Sequence, residues 1–94
     1  MKYTIIVPAF NAEKTIKKTL DSLMNLIFLD NDFEVICIND YSTDSTETII
    51  NSFDLKIKNL ICINNQKNLG SGLSRNEGIN RANGKFVLFV DADD

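Results

Sequence analysis

The chain of 94 residues contains no histidine. That absence removes Ser-His-Asp triads, Cys-His dyads and His-ligated zinc. Chemistry here must rest on carboxylates, hydroxyls, amides and a few basic side chains. Cysteine is scarce too: only Cys37 and Cys62, each inside an apolar run (Val35-Ile36-Cys37-Ile38 and Leu60-Ile61-Cys62-Ile63). They read as buried, reduced thiols of a cytoplasmic protein rather than a disulfide framework. No apolar run approaches the roughly 18 residues of a spanning helix, so no membrane segment is expected. Met1-Lys2-Tyr3, then a short apolar run cut by Pro8, lacks the long apolar stretch and cleavage site of a secretory signal. Basic excess is also missing. Ten Lys and Arg against thirteen Asp and Glu leave a net charge of −3, which argues against nucleic acid as a partner, because phosphate neutralisation needs basic patches.

What remains is the balance of one soluble globular domain. Hydrophobic residues make up 44% and charged residues 24%, which argues against disorder. Four short apolar runs stand out: Tyr3–Val7, Phe33–Ile38, Leu60–Ile63 and Phe86–Val90. They are rich in Ile, Val and Phe without clean alternation, the pattern of strands buried on both faces of a parallel sheet. Helical patterns lie between them. Ile16, Leu20, Leu23, Met24 and Ile27 form one stripe, with Asn11 as its N-cap. Thr46, Ile49, Ile50 and Phe53 form a second, with Asp44 as N-cap and Glu47 completing a capping-box-like pair. A third helix is expected from near Ser71 to just before Gly84, a C′ glycine, on a sparse stripe of Leu73, Ile79 and Ala82.

The resulting β-α-β-α-β-α-β order predicts a Rossmann-like, three-layer α/β/α fold. The expected sheet is parallel, of about four strands in the order 3-2-1-4. A ligand crevice then belongs at the C-terminal ends of strands 1 and 4, where the order reverses. The polar residues collect at such strand ends. Asp91, Asp93 and Asp94 place three carboxylates within four residues directly after Phe86–Val90. Such crowding calls for protons or a hard cation such as Mg²⁺ or Mn²⁺, although a D-x-D also describes a polar turn. Asp40 sits at the end of strand 2. Asp44 serves the following cap, which leaves Asp40 free to accept a hydrogen bond from a base or sugar. In Asn68-Leu69-Gly70-Ser71-Gly72-Leu73-Ser74-Arg75, the glycines permit close backbone approach before a helix N-terminus. Arg75 holds the third glycine position of a G-x-G-x-x-G run, which makes it a poor dinucleotide fingerprint and a counter-charge for a diphosphate. Arg75 is equally readable as an exposed helix residue. A receiver-type signalling domain shares the element order but needs carboxylates after strand 1 and an acceptor Asp after strand 3. Pro8-Ala9-Phe10-Asn11 and Asn64-Asn65-Gln66 stand there instead.

Four stretches, in order, resemble the N-terminal half of a family 2 glycosyltransferase of the GT-A fold. Ile6-Val7-Pro8-Ala9-Phe10-Asn11 is similar to its V-P-x-Y/F-N, and Ile38-Asn39-Asp40-Tyr41-Ser42-Thr43-Asp44-Ser45-Thr46 to its V-N-D-G-S-T-D-G-T. Asn68-Leu69-Gly70, Ser74-Arg75-Asn76-Glu77-Gly78 and Ala82-Asn83-Gly84-Lys85 are similar to its N-x-G, A-R-N-x-G and A-x-G-E/K run. Phe89-Val90-Asp91-Ala92-Asp93-Asp94 is similar to its F-L-D-x-D-D. Tyr41 and Ser45 depart where glycine is usual, and Tyr41 is placed to line or narrow the base pocket. The resemblance implies a donor pocket walled by Pro8, Ala9, Phe10 and Asn11. Asp40 would accept from the base, Arg75 would hold the nucleotide or diphosphate, Asp91 would contact ribose or sugar, and Asp93 would ligate Mn²⁺ or Mg²⁺. It implies that residues 1–94 are the nucleotide-sugar-binding part of a longer enzyme, truncated after the D-x-D motif. The parent would transfer a sugar from a UDP-sugar donor to an acceptor, with its catalytic base past residue 94 and a place at the cytoplasmic face of the membrane. The segment alone is expected to be inactive and to self-associate through an uncovered sheet edge. The alternative is a non-catalytic nucleotide-binding module.

Overall fold

The computed structural model describes residues 2–29 and 32–92, without the side chains of 26–29. Its elements are β1 (Tyr3–Ala9), α1 (Ile16–Leu29), β2 (Phe33–Asn39), α2 (Thr46–Asn51), β3 (Leu60–Asn64), α3 (Ser71–Arg81) and β4 (Phe86–Phe89). The strands form one sheet in the order β3-β2-β1-β4. Every pairing is parallel. Consecutive β-branched residues make this work. Ile5 and Val7 face one side of β1 and Ile6 the other, so both faces of the central strand are apolar.

One face carries the larger core. Ile5, Val7, Val35 and Cys37 pack there with Ile16, Leu20 and Leu23 of α1 and with Ile50, Phe53 and Ile57 of α2 and the segment after it. Met24 packs at the margin of this core; the side chain of Ile27 lies outside the described residues. On the other face Ile6, Ile36 and Ile38 form a smaller cluster. Here α3 departs from its expected stripe. Leu73 and Ile79 are exposed, and the helix turns Ser74 and Gly78 toward the sheet. A Cβ on Gly78 would lie 2.7 Å from Ile6 Cγ2, so the close seat of α3 on β1 leaves no room for larger residues.

Gly84 is likewise not a C′ glycine. The residue after α3, Ala82, is extended, and Gly84 instead lies against β1, where a Cβ would come within 2.5 Å of Thr4 N. Its N–H donates to Thr4 Oγ1 at 2.8 Å. Thr4 Oγ1 donates to the buried Glu34, which also accepts from Asn83 N at 2.6 Å. This node pins the α3–β4 loop to β1 and β2. Above it Tyr3 stacks on Phe33 at 4.8 Å and meets Phe86 at 5.8 Å, three aromatic rings in register across three strands.

The edge strands are less covered than their composition predicts. β3 is half-buried along most of its length, and Phe86, Leu88 and Phe89 of β4 are exposed. The cysteines are unpaired, as expected; Cys37 is buried and Cys62 half-buried. Burial pushes both thiols up, Cys62 to about 11, which keeps them protonated and unreactive. Among the described residues no helix is long and apolar enough to cross a membrane.

Candidate functional site

The site forms where β1 and β4 part. Val90 N–H donates to Ile6 O at 3.0 Å. The next rung of a parallel ladder would draw on the N–H of residue 8, and proline has none. Pairing between β1 and β4 therefore stops at Pro8, and a cavity of about 360 Å³ opens beyond it, lined by Pro8, Ala9, Phe10, Ala12, Asp40, Ser71, Ser74, Arg75, Asp91 and Ala92. This is the switch-point crevice that the strand order predicts, and its volume lies within the small-molecule range.

Six residues singled out in the sequence meet there: Pro8, Ala9, Phe10, Asp40, Arg75 and Asp91. Arg75 Nη2 pairs with Asp91 Oδ1 at 3.3 Å across the mouth, and its guanidinium lies 5.8 Å from the Phe89 ring centroid. Both ion-pair partners are partly exposed, so the pair contributes little stability and is open to exchange with a ligand anion. Phe10 is exposed at the rim, where an aromatic face is available for stacking. Ala92 is buried, and its carbonyl accepts from Thr19 Oγ1 at 3.3 Å, which ties the segment after β4 to α1. Asp93, the expected metal ligand, and Asp94 lie outside the described residues. Among the described residues no group of three or more acidic or cysteine side chains is gathered for a metal ion.

Asp40 is not free of structural duty. Its Oδ1 accepts from Leu69 N at 2.7 Å and Asn65 Nδ2 at 2.9 Å, and its Oδ2 from Gly70 N at 2.9 Å. Asp40 thus anchors, from the end of β2, the two residues that lead into α3, a role that local spacing could not reveal because the partners are 25 or more residues away. Burial pushes its carboxyl up. The Leu69 N–H, the Asn65 amide, the Gly70 N–H and the Ser74 hydroxyl more than reverse this, and its pKa lies below the ordinary carboxylate value. At neutral pH Asp40 is therefore an ionised, acceptor-only group on the cavity wall.

Asn11 does not line the cavity, and it does not cap α1. That helix begins after a turn in which Thr15 N and Ile16 N donate to Ala12 O. Asn11 holds a left-handed backbone, φ 48°, and its Oδ1 accepts from Thr43 N at 2.8 Å. It belongs to a clasp between the loops after β1 and β2. Asn11 N donates to Ser42 Oγ, Ala12 N to Thr46 Oγ1 and Glu13 N to Asp44 Oδ2. The N-cap position of α2 is Ser45 and not the expected Asp44, which acts from one residue earlier: its Oδ1 accepts from Thr46 N at 3.0 Å. The reciprocal carboxylate is Glu13, which accepts from Ser45 N at 3.1 Å, and not the exposed Glu47. Tyr41 is exposed at φ 62° and does not line the cavity. Sequence reasoning missed Ala12, Ser71, Ser74 and Ala92 as lining residues. The two serines sit in the glycine-bearing stretch already marked for ligand approach, which is the signal that could have found them.

The family model for "Glycosyl transferase family 2" matches residues 4–94. The chain belongs to this family. It is 42% identical over 95 residues to the poly(ribitol-phosphate) β-glucosyltransferase of Bacillus spizizenii, a match that covers all of this chain and 15% of that protein. The chain thus spans about one-seventh of the length of that curated relative. Among solved structures, residues 1–349 of Staphylococcus aureus TarS in complex with UDP-GlcNAc superpose with a TM-score of 0.92 at 41% identity, covering 99% of this chain and 27% of that one. A mannosyltransferase of Pyrobaculum calidifontis, solved with GDP-Man and Mn²⁺, superposes at 0.89 with 24% identity over 98% of this chain and 27% of that one, a likeness of fold alone. The four-stranded parallel sheet with its helices is therefore the GT-A arrangement that the motifs imply.

Proposed function

We propose that residues 1–94 form the donor-binding segment of a glycosyltransferase that moves a sugar from a nucleotide-diphosphate-sugar, specifically a UDP-sugar, to an acceptor. The observation that carries this reading is the cavity at the switch point, which brings the Pro8–Phe10 wall, Asp40, Arg75 and Asp91 together. The relatives named above are a glucosyltransferase and a protein solved with UDP-GlcNAc, and they support the choice of donor. Asp40, ionised and acceptor-only, suits a base that presents a ring N–H. Arg75 exchanges Asp91 for the diphosphate, because a doubly charged oxyanion competes well for a guanidinium. Asp91, released from the pair, is then placed for a ribose or sugar hydroxyl. Asn11 supports this wall through the loop clasp rather than by contact with the ligand.

The available donors are hard carboxylate oxygens without histidine, a set that fits Mg²⁺ or Mn²⁺ and not a soft metal. Asp93 is the proposed ligand, two residues beyond Asp91 at the cavity mouth. Such an ion, when bound, offsets the charge of the diphosphate leaving group. Without it, Asp40 and Asp91 repel the same diphosphate that Arg75 attracts.

A uridine diphosphate titration followed by amide chemical shifts tests the assignment. Shifts are expected at the amides of residues 9–11, 39–42 and 91–93 around the Pro8 wall, larger when Mg²⁺ is present, with Mn²⁺ broadening the last group. Asp93→Asn should remove most of the metal dependence. Asp40→Ala should weaken nucleotide binding and leave the metal response mostly intact. Shifts scattered over the helices, or no effect of either substitution, would refute the site.

A further inference from the structure

Asn65 lies just past β3 and belongs to none of the motifs that carry the family resemblance. Its side-chain nitrogen donates to Asp40 Oδ1 at 2.9 Å and to Ser74 Oγ at 3.1 Å. Its own backbone N–H donates to Asn39 O at 2.9 Å, so the residue is held at both ends. Ser74 is fully buried on the sheet-facing side of α3 and reaches the cavity wall. One carboxamide thus ties the end of β3, the first turns of α3 and the carboxylate at the end of β2.

The groups bonded to Asp40 do different work. Leu69 N and Gly70 N are consecutive backbone groups, and they hold the carboxylate at the mouth of α3. Asn65 approaches from the neighbouring strand end and fixes the rotation of the carboxylate plane. Each carboxylate oxygen has two acceptor positions. Oδ1 accepts from both Asn65 and Leu69 and Oδ2 from Gly70, and the Ser74 hydroxyl also bonds to the carboxylate. A ligand donor therefore meets a carboxylate whose plane these groups hold in place. A fixed acceptor at that point welcomes a ring N–H and opposes a ring nitrogen that carries a lone pair, since the latter leaves both groups unpaired.

We propose that Asn65, held by Ser74, is a positioning residue that orients the Asp40 carboxylate and so sets the discrimination between a base presenting a ring N–H and one presenting a lone pair. The inference rests on the reading of Asp40 as the base-recognising group. Pre-orientation is the source of the effect: a carboxylate free to rotate loses order and discriminates less.

Calorimetric titrations of uridine diphosphate, cytidine diphosphate and inorganic diphosphate, each with Mg²⁺, test it on the whole chain. The unsubstituted protein should prefer uridine over cytidine diphosphate, and Asp40→Ala should abolish that preference. Asn65→Ala should lower the uridine-to-cytidine affinity ratio about tenfold, the loss of one hydrogen bond to a charged group, with inorganic diphosphate affinity unchanged. Ser74→Ala should lower the ratio in the same direction by less, and Asn65→Gln, which keeps the amide donor, should recover part of it. No uridine preference, or one insensitive to Asp40→Ala, overturns the reading of Asp40 and this inference with it. A preference lost in Asp40→Ala but intact in Asn65→Ala and Ser74→Ala overturns the positioning role alone. Parallel loss of inorganic diphosphate affinity in Asn65→Ala also overturns it, because a structural defect would weaken every ligand. Should Asn65→Ala fail to fold, the ratio in Ser74→Ala decides.

Discussion

Two glycines show how the same residue type answers different demands. At Gly84 an added Cβ would meet the backbone of β1, with Thr4 N at 2.5 Å and Tyr3 C at 2.6 Å. The central strand cannot retreat without breaking two ladders. At Gly78 the nearest atoms belong to the side chain of Ile6, at 2.7 Å and beyond, which can change rotamer. Alanine there also gains about 1 kcal/mol of helix propensity. Gly84→Ala should therefore destabilise by about 1–3 kcal/mol or more, and Gly78→Ala by clearly less. Urea midpoints of the two variants check this, and an equal loss would show that Ile6 is as rigid as the strand. The motif resemblance marked both glycines, but not why each is needed. Gly84 was expected to end a helix, and its role against Thr4 became visible only when the chain 80 residues upstream was brought beside it.

At the scale of elements, the strands follow from composition, while the surroundings of the edge strands do not. Phe86-Val87-Leu88-Phe89 has the content of a buried strand, yet in β4 only Val87 packs into a core cluster. An edge strand pairs on one side and presents its other side unpaired. Here the same strand also exposes Phe86, Leu88 and Phe89 on its faces, and Leu73 and Ile79 are exposed on α3. A monomer–dimer equilibrium is therefore expected. Light scattering over a wide concentration range should show a rising mass, and Leu88→Lys should suppress it through charge on the edge. A constant monomer mass would refute the expectation. α3 shows the opposite failure of pattern. Its apolar residues point outward because Ser74 and Gly78 were needed inward, one for the Asp40 network and the other for close packing on β1.

For the molecule as a whole, buried carboxylates bind the layers and make stability depend on pH. Glu34 is buried at the end of the sheet opposite the cavity, where it joins β2, β1 and the α3–β4 loop. Burial pushes its carboxyl up. The Thr4 hydroxyl, the Asn83 N–H and amide and the Gly84 N–H outweigh this, and its pKa falls below the ordinary 4.5. Because the folded value is the lower one, the carboxylate stabilises fully above about pH 4.5, and that contribution is lost as the pH falls through the depressed folded value. Glu34→Gln should cost about 1–3 kcal/mol at pH 7, as expected for hydrogen bonds to a buried charge. The gap to the unsubstituted protein should narrow toward pH 3. Denaturant midpoints at pH 7, 5 and 3 measure it, and a gap independent of pH would show that the carboxylate charge is not what holds the node.

The amino-acid order by itself determined the strand and helix sequence, the parallel sheet and the place of its crevice, because β-branched runs and helical stripes are local patterns and the crossover rule is general. It also marked Pro8, Ala9, Phe10, Asp40, Arg75 and Asp91, which the fold gathers around one cavity. Only the tertiary structure decided what Asn11, Glu13, Asn65 and Ser74 do. Their partners lie between nine and 32 residues away in sequence, and no local period reports a hydrogen bond made across the ends of three strands. A short polar side chain states its chemistry in the sequence, but its partner is chosen by whichever backbone the fold delivers to it.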